Sequence, residues 1–164
     1  MPEEKWLSGP VAGVAPVLQL AAHALLQARE DIASIASSVS SEELWAARGA
    51  SATAGYHGLH LIGALERIFT YARGEVLSDA QKAAARAEST AIPELDGSGL
   101  LARVSAAVDR ALDQLRSTAP STVFDERKVG RAGLPSTVIG CLFHGAEHSA
   151  RHAGQFLTAV KAGR

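Results

Sequence analysis

Six histidines occur in this 164-residue chain, and five of them fall into two groups. His144, His148 and His152 recur every fourth residue, while His57 and His60 stand three apart. Spacings of three and four put side chains on one helical face, a turn apart. Neutral imidazole is the commonest metal-ligating side chain, and two imidazoles a turn apart can reach one ion at roughly 2.0–2.1 Å each. His144 and His152 lie roughly 12 Å apart along a helix axis, too far for one ion to take all three readily. An adjacent pair from this run, joined by one histidine of the other group, would supply three protein ligands and leave coordination positions open. A single histidine on an apolar helix face is ordinarily structural, but several unpartnered imidazoles in one small core are costly to desolvate.

Two other metal chemistries are weaker. His144-Gly-Ala-Glu147-His148 matches the H-x-x-E-H pattern of inverted zinc proteases, with Glu147 as general base. Three specified positions in five arise easily by chance, and no sheet is expected here to seat an extended peptide. Carboxylate-bridged di-iron bundles need paired Glu-x-x-His motifs, and no glutamate in this chain has a histidine three positions later. The near balance of 16 basic and 17 acidic residues leaves a formal charge of −1, which argues against nucleic acid as a partner. The single Cys141 can form no intrachain disulfide, which suits a cytoplasmic protein. The N-terminus is charged where a signal peptide needs an apolar run. The most apolar segment, Val11 to Ala28, is interrupted by Pro16, Gln19 and His23 and is short for a membrane span.

The elements that must carry these histidines are helical. Apolar residues make up 47% and aromatics only 5%, alanine is abundant, and no stretch alternates apolar with polar residues in the manner of a strand. One domain over residues 1–164 is expected: an all-α four-helix bundle with a short additional helical segment. The first long helix is predicted from Val11 to about Ile35, with Leu18, Ala21, Ala22, Leu25 and Ala28 as its inner stripe. Ser40 and Glu43 form a capping box for a short turn carrying Leu44 and Trp45, and Arg48 to Ser51 is a connector. The second helix is predicted from Ser51 to Arg73, closed by Gly74, with His57, Leu61, Ala64, Leu65, Ile68 and Ala72 inward. Ser78 and Gln81 open a helical stretch to about Ser89. A helix from Leu100 to Ser117 carries Leu101, Val104, Val108, Ala111, Leu112 and Leu115. The segment Thr118 to Leu134 reads as a crossing loop, and Pro135 as the start of the last helix, which runs to about Ala162.

The sequence resembles the DinB-like (DinB/YfiT) superfamily of metal-dependent four-helix bundles over nearly its whole length. The most specific part is His148-Ser-Ala-Arg-His152-Ala-Gly154-Gln155, similar to that family's H-x-x-x-H-x-G-Q pattern. His60-Leu-Ile-Gly-Ala-Leu-Glu66-Arg67 resembles its second-helix run. The Leu44-Trp45 segment and the Leu134-Pro135 approach to the last helix also agree. The resemblance implies His60, His148 and His152 as metal ligands. Helical-face arithmetic instead puts His57 nearer the centre of the buried stripe, so His57, His144 and Glu147 stand as alternative ligands or hydrogen-bonding neighbours. Gly63, one turn beyond His60, is expected to leave room for the facing helix.

The resemblance further implies a divalent ion, zinc or nickel before iron or manganese, that activates a thiol or water. A metal-dependent thiol S-transferase, or a related hydrolase or isomerase acting on a small molecule such as a low-molecular-weight thiol, follows from it. A noncatalytic, stress-related metal- or ligand-binding bundle is the alternative. Glu147, His144 and His57 are candidate bases, and Arg67 and Arg151 lie near the ligand-bearing turns, where they could hold an anionic substrate. The thin, Ala-rich core and the family's habit of pairing through outer helix faces suggest a homodimer. The reference imidazole pKa of about 6.5 puts loss of metal near pH 6.

Overall fold

The inner stripe of the first helix forms as its spacing requires, with Leu18, Ala21, Ala22, Leu25 and Ala28 all buried. The computed structural model describes residues 4–47, 49 and 51–162. Met1–Glu3, Arg48 and Ala50 of the connector, Gly163 and Arg164 lie outside the described residues. Six helices and one hairpin follow in order: α1 (Gln19–Ala36), α2 (Ser41–Trp45), α3 (Ala54–Ala72), α4 (Asp79–Ala87), α5 (Gly97–Ser117), β1 (Glu126–Val129), β2 (Leu134–Thr137) and α6 (Val138–Lys161). The four long helices α1, α3, α5 and α6 make an all-α bundle. Each packs mainly against two others, α1 on α5 and α6 and α3 on α5 and α6, in the cyclic order α1, α5, α3, α6. No helix among the described residues is long and apolar enough to cross a membrane.

Local chemistry sets the helix ends. Ser40 with Glu43, and Ser78 with Gln81, form complete capping boxes at α2 and α4. Thr53 and Asp96 cap α3 and α5 through their side chains. Gly74 takes φ +79° just past the end of α3, the left-handed conformation that glycine adopts cheaply.

Three boundaries differ from the sequence reading. The first α-helix begins at Gln19, not Val11, after a 3-10 turn over Pro16–Leu18. Gln19 explains the delay: its side chain binds the backbone of Val11 and Val14 at 2.7–3.0 Å and stabilises a loop there. The α5 helix begins at Gly97, and Leu100 rather than Leu101 fills the core. In α3 it is Phe69 that is buried, while Ile68 is only partly covered.

The fourth difference is the hairpin, in a segment read as loop and helix start. β1 and β2 pair antiparallel, with Glu126 opposite Thr137 and Lys128 opposite Pro135. Its strands carry charge and a proline, so they give no alternating apolar signal, and Pro135 sits in a two-stranded edge where a missing N–H is tolerated. Thr137, not Pro135, starts α6 by accepting a hydrogen bond from Gly140 N at 3.1 Å. Val138 and Ile139 N–H groups then donate to Asp125 O and Val123 O at 3.0 and 2.8 Å. At this same end of the hairpin Arg127, opposite Ser136, donates to Ala72 O, the last residue of α3, at 2.7 Å. The hairpin therefore fastens the end of α3 to the start of α6.

Glycine positions test this packing. A Cβ at Gly97 would stand 2.1 Å from Ala36 O, a backbone atom, whereas at Gly154 it would meet nothing within 4 Å. Gly97→Ala should cost about 2 kcal/mol through forced backbone movement, and Gly154→Ala should stabilise by about 0.5 kcal/mol. In thermal unfolding that appears as a loss of roughly 4–8 °C for Gly97→Ala and no loss for Gly154→Ala. Equal melting of the two variants would contradict the close approach of α5 to α1.

Candidate metal centre

The histidines of α3 and α6 meet because the two helices run antiparallel: His57 faces His152, and His60 faces His148. His57 Nδ1 and His152 Nδ1 are 3.1 Å apart, and His60 Nε2 and His148 Nε2 are 3.0 Å apart. Ring centroids of His60 and His152 lie 4.5 Å apart, and those of His148 and His152 4.6 Å. Each of His60, His148 and His152 offers one ring nitrogen to a group whose members all lie within 4.8 Å of one another. His57 touches His152 from outside that group. His144 is exposed one turn away, 3.5 Å from Glu147; its ring centroid lies 5.5 Å from that of His148, and it is not one of the three grouped ligands.

Helix packing explains the proximity. The interface between α3 and α6 is lined by small residues, and a Cβ at Gly145 would fall 2.9 Å from the Phe69 ring. Ser149, beside His148 and His152 around the α6 axis, is fully buried. With small side chains between them the backbones approach closely enough for imidazoles from both helices to touch.

Burial sets the charge state. His152 is 8% exposed, and desolvation, reinforced by the charges of His60, His148, His57 and Arg151, lowers its pKa to about 4. Burial first, then the charge of His60, also lowers His148 and His57 below the usual imidazole range. These rings are therefore neutral at pH 7, the form that ligates metal.

The residues meet a test of fit. His148 Nδ1 is buried without a hydrogen-bond partner. Glu88 Oε2 lies 2.7 Å from His60 Nδ1, and a carboxylate only accepts, so the His60 proton sits on Nδ1 and its Nε2 presents a lone pair to His148. If His148 carries its proton on Nδ1, two lone pairs converge; if on Nε2, a buried Nδ1 acceptor goes unsatisfied. A cation shared by the two Nε2 atoms removes the first conflict. Two nitrogens each roughly 2.0–2.1 Å from a tetrahedral ion stand about 3.3 Å apart, close to the separation found here.

Other residues around the group were not singled out by spacing. Glu88, just past α4, is 7% exposed and also accepts from Arg67 Nη1 at 2.6 Å. The ring of Tyr56 stacks on His60 with centroids 5.3 Å apart and planes 16° apart. A helix C-terminal glutamate has no pattern that announces burial, so only the fold reveals it. Gly63 does leave room, but for a different occupant: a Cβ there would meet Glu88 Oε1 at 2.2 Å and Arg67 Nη1 at 2.7 Å, not the facing helix. Both arginines considered for substrate are engaged, Arg67 with Glu88 and Arg151 with Glu147 at 2.7 Å. Glu66 pairs with Arg110. Beside His57 opens a cavity of about 480 Å³, lined also by Ala46, Ser51, Ala52, Gln155 and Thr158.

Comparison with curated proteins finds no match. The family model of the DinB superfamily matches residues 24–156, a span that includes α3, most of α6 and every histidine of the two groups. A helical bundle with three histidines gathered between two of its helices agrees with that match, and the chain belongs to the DinB superfamily.

Proposed function

We propose that the chain binds one divalent metal ion through His60, His148 and His152 and uses it to activate a small thiol or water for transfer to an electrophile. The observation that carries this reading is the group of three ring nitrogens within 4.8 Å, in which His60 Nε2 and His148 Nε2 face one another at 3.0 Å. A bound zinc or nickel ion supplies Lewis-acid chemistry, lowering the pKa of the thiol or water it holds. Three protein ligands leave positions for that substrate. The remaining work falls to the chain's own residues. The cavity beside His57 has the size of a small-molecule site, and Gln155 and Thr158 offer hydrogen bonds at its wall. His57 orients His152 through their shared Nδ1 contact. Because Arg67 and Arg151 are already paired, the substrate is held through neutral polar contacts rather than by a free guanidinium.

A second reading is a metal-binding bundle without turnover, in a cytoplasmic homodimer. It is favoured by one observation: the nearby carboxylates Glu88 and Glu147 are both tied up in ion pairs and offer no ready base. Thiol added to the cobalt-substituted protein separates the two. A thiolate-to-metal charge-transfer band, followed by conjugation of thiol to a test electrophile, supports catalysis; an unchanged spectrum supports binding alone.

Metal content gives a direct check. The purified chain should take up about one zinc or nickel ion, and His148→Ala or His152→Ala should each abolish uptake, since two histidines make a poor site. Full stoichiometry in both variants would sink the proposal.

The lowered pKa values move the pH dependence below the value expected from free imidazole. Protons compete with metal at each ring, and because burial defers the protonation of His152 toward pH 4, occupancy should fall as pH drops and be gone by about pH 4. In the metal-free protein, the unfolded chain binds more protons than the folded one between about 6.5 and 4. Stability is therefore full above pH 6.5 and is lost as pH falls through that window, by about 3 kcal/mol for His152 alone. Chemical unfolding at a series of pH values reads both; a stability maximum near pH 5 would contradict the neutral cluster.

A further inference from the structure

We propose that Glu88 is the positioning residue of this centre: it holds His60 with Nε2 turned toward His148 and His152, and it couples the docking of α4 to metal occupancy. The inference rests on the three-histidine reading above and adds to it a residue and an element that no ligand pattern names.

Glu88 stands just beyond a helix that buries none of its own residues, yet its side chain is almost wholly covered. A glutamate so placed would ordinarily extend into water. Here both carboxylate oxygens are committed, Oε2 to His60 Nδ1 at 2.7 Å and Oε1 to Arg67 Nη1 at 2.6 Å. The space it occupies exists only because residue 63 is glycine, since any Cβ there would overlap Oε1. Burying a charged pair is expensive, and pairing with Arg67 alone could be made at the surface. What the buried position adds is the bond to His60. That bond fixes the ring proton on Nδ1, while Tyr56 stacked on the ring limits its rotation, so the lone pair of Nε2 is aimed between the helices. Carboxylate–histidine pairs of this kind orient metal ligands, and their loss weakens affinity by about 10–100-fold.

The coupling follows from how α4 is attached. It packs on α3 with polar fastenings near its two ends: Gln81 donates to Thr70 Oγ1 at 2.8 Å, and Glu88 binds His60 and Arg67. If docked α4 raises metal affinity by some factor, bound metal must favour docked α4 by the same factor.

The test is a zinc titration of the full-length, metal-free chain against a chromophoric chelator, with hydrogen exchange of the α4 amides measured with and without zinc. Glu88→Ala should bind zinc about 10–100-fold more weakly, and Glu88→Gln, which keeps an acceptor for Nδ1–H, about 3–10-fold more weakly. Zinc should slow α4 exchange by about tenfold or more in the unmodified chain and leave it unchanged in Glu88→Ala. A merely structural ion pair would lower the melting temperature without moving either readout. If zinc is lost in His148→Ala, but Glu88→Ala binds within about threefold of the unmodified chain and α4 exchange ignores zinc, the positioning role is overturned and the three-histidine centre stands. Should Glu88→Ala fail to fold, Glu88→Gln decides on the same criteria. A chain that takes up no zinc at all overturns the centre, and this role with it.

Discussion

The antiparallel register of α3 against α6 is the constraint on which the site depends. His57 meets His152 and His60 meets His148 only in one alignment, and sliding either helix by a turn, about 5.4 Å, would part both pairs. That alignment is held at a distance. Phe69 seats against Gly145, and the hairpin ties Ala72 O to Arg127 while completing the first hydrogen bonds of α6. Fastenings at one end of the two helices thus decide which residues meet several turns away. Rigid helices transmit register over such distances because every intervening backbone hydrogen bond is satisfied within the helix.

Close packing and polarity then work against one another. Small residues on α6 bring the backbones together, and the same closeness strips water from four imidazoles. The cost is met by keeping His57, His148 and His152 neutral, which burial and mutual repulsion enforce, and by giving individual nitrogens specific partners. Glu88 supplies one such partner to His60, and His57 and His152 supply each other. His60 Nε2 and His148 Nε2 instead face one another at 3.0 Å, and with the His60 proton held on Nδ1 a cation between them suits the group better than two converging lone pairs.

Much of this is legible along the chain because helical structure is local. The capping boxes at Ser40 and Ser78, the turn at Gly74, and the stripes of α1 and α6 depend on residues within a few positions of one another. Where a local signal competes with another, reading it is harder. Gln19 lies on the helical face but spends its amide on Val11 and Val14, so α1 starts late. Pro135 looks like a first helical residue and serves equally well in an edge strand, and charged β1 residues hide a hairpin whose partner strand alone gives it order.

By itself the sequence determined that α3 and α6 would each present histidines on one face, since 3.6 residues per turn leaves no choice about which side chains share a side. It determined as well the capping boxes of α2 and α4 and the glycine that closes α3. The family motif already pointed to His60, while helical-face arithmetic favoured His57. Tertiary structure brings His60 into the close group with His148 and His152, and it alone decided that Gly63 makes room for Glu88 instead of the facing helix. Periodicity gives an angle about one axis and says nothing of the distance to a second. The burial of Glu88 depends on where a short helix with no buried face comes to rest, and that is settled by contacts made across 21 and 28 residues of sequence, to Arg67 and His60.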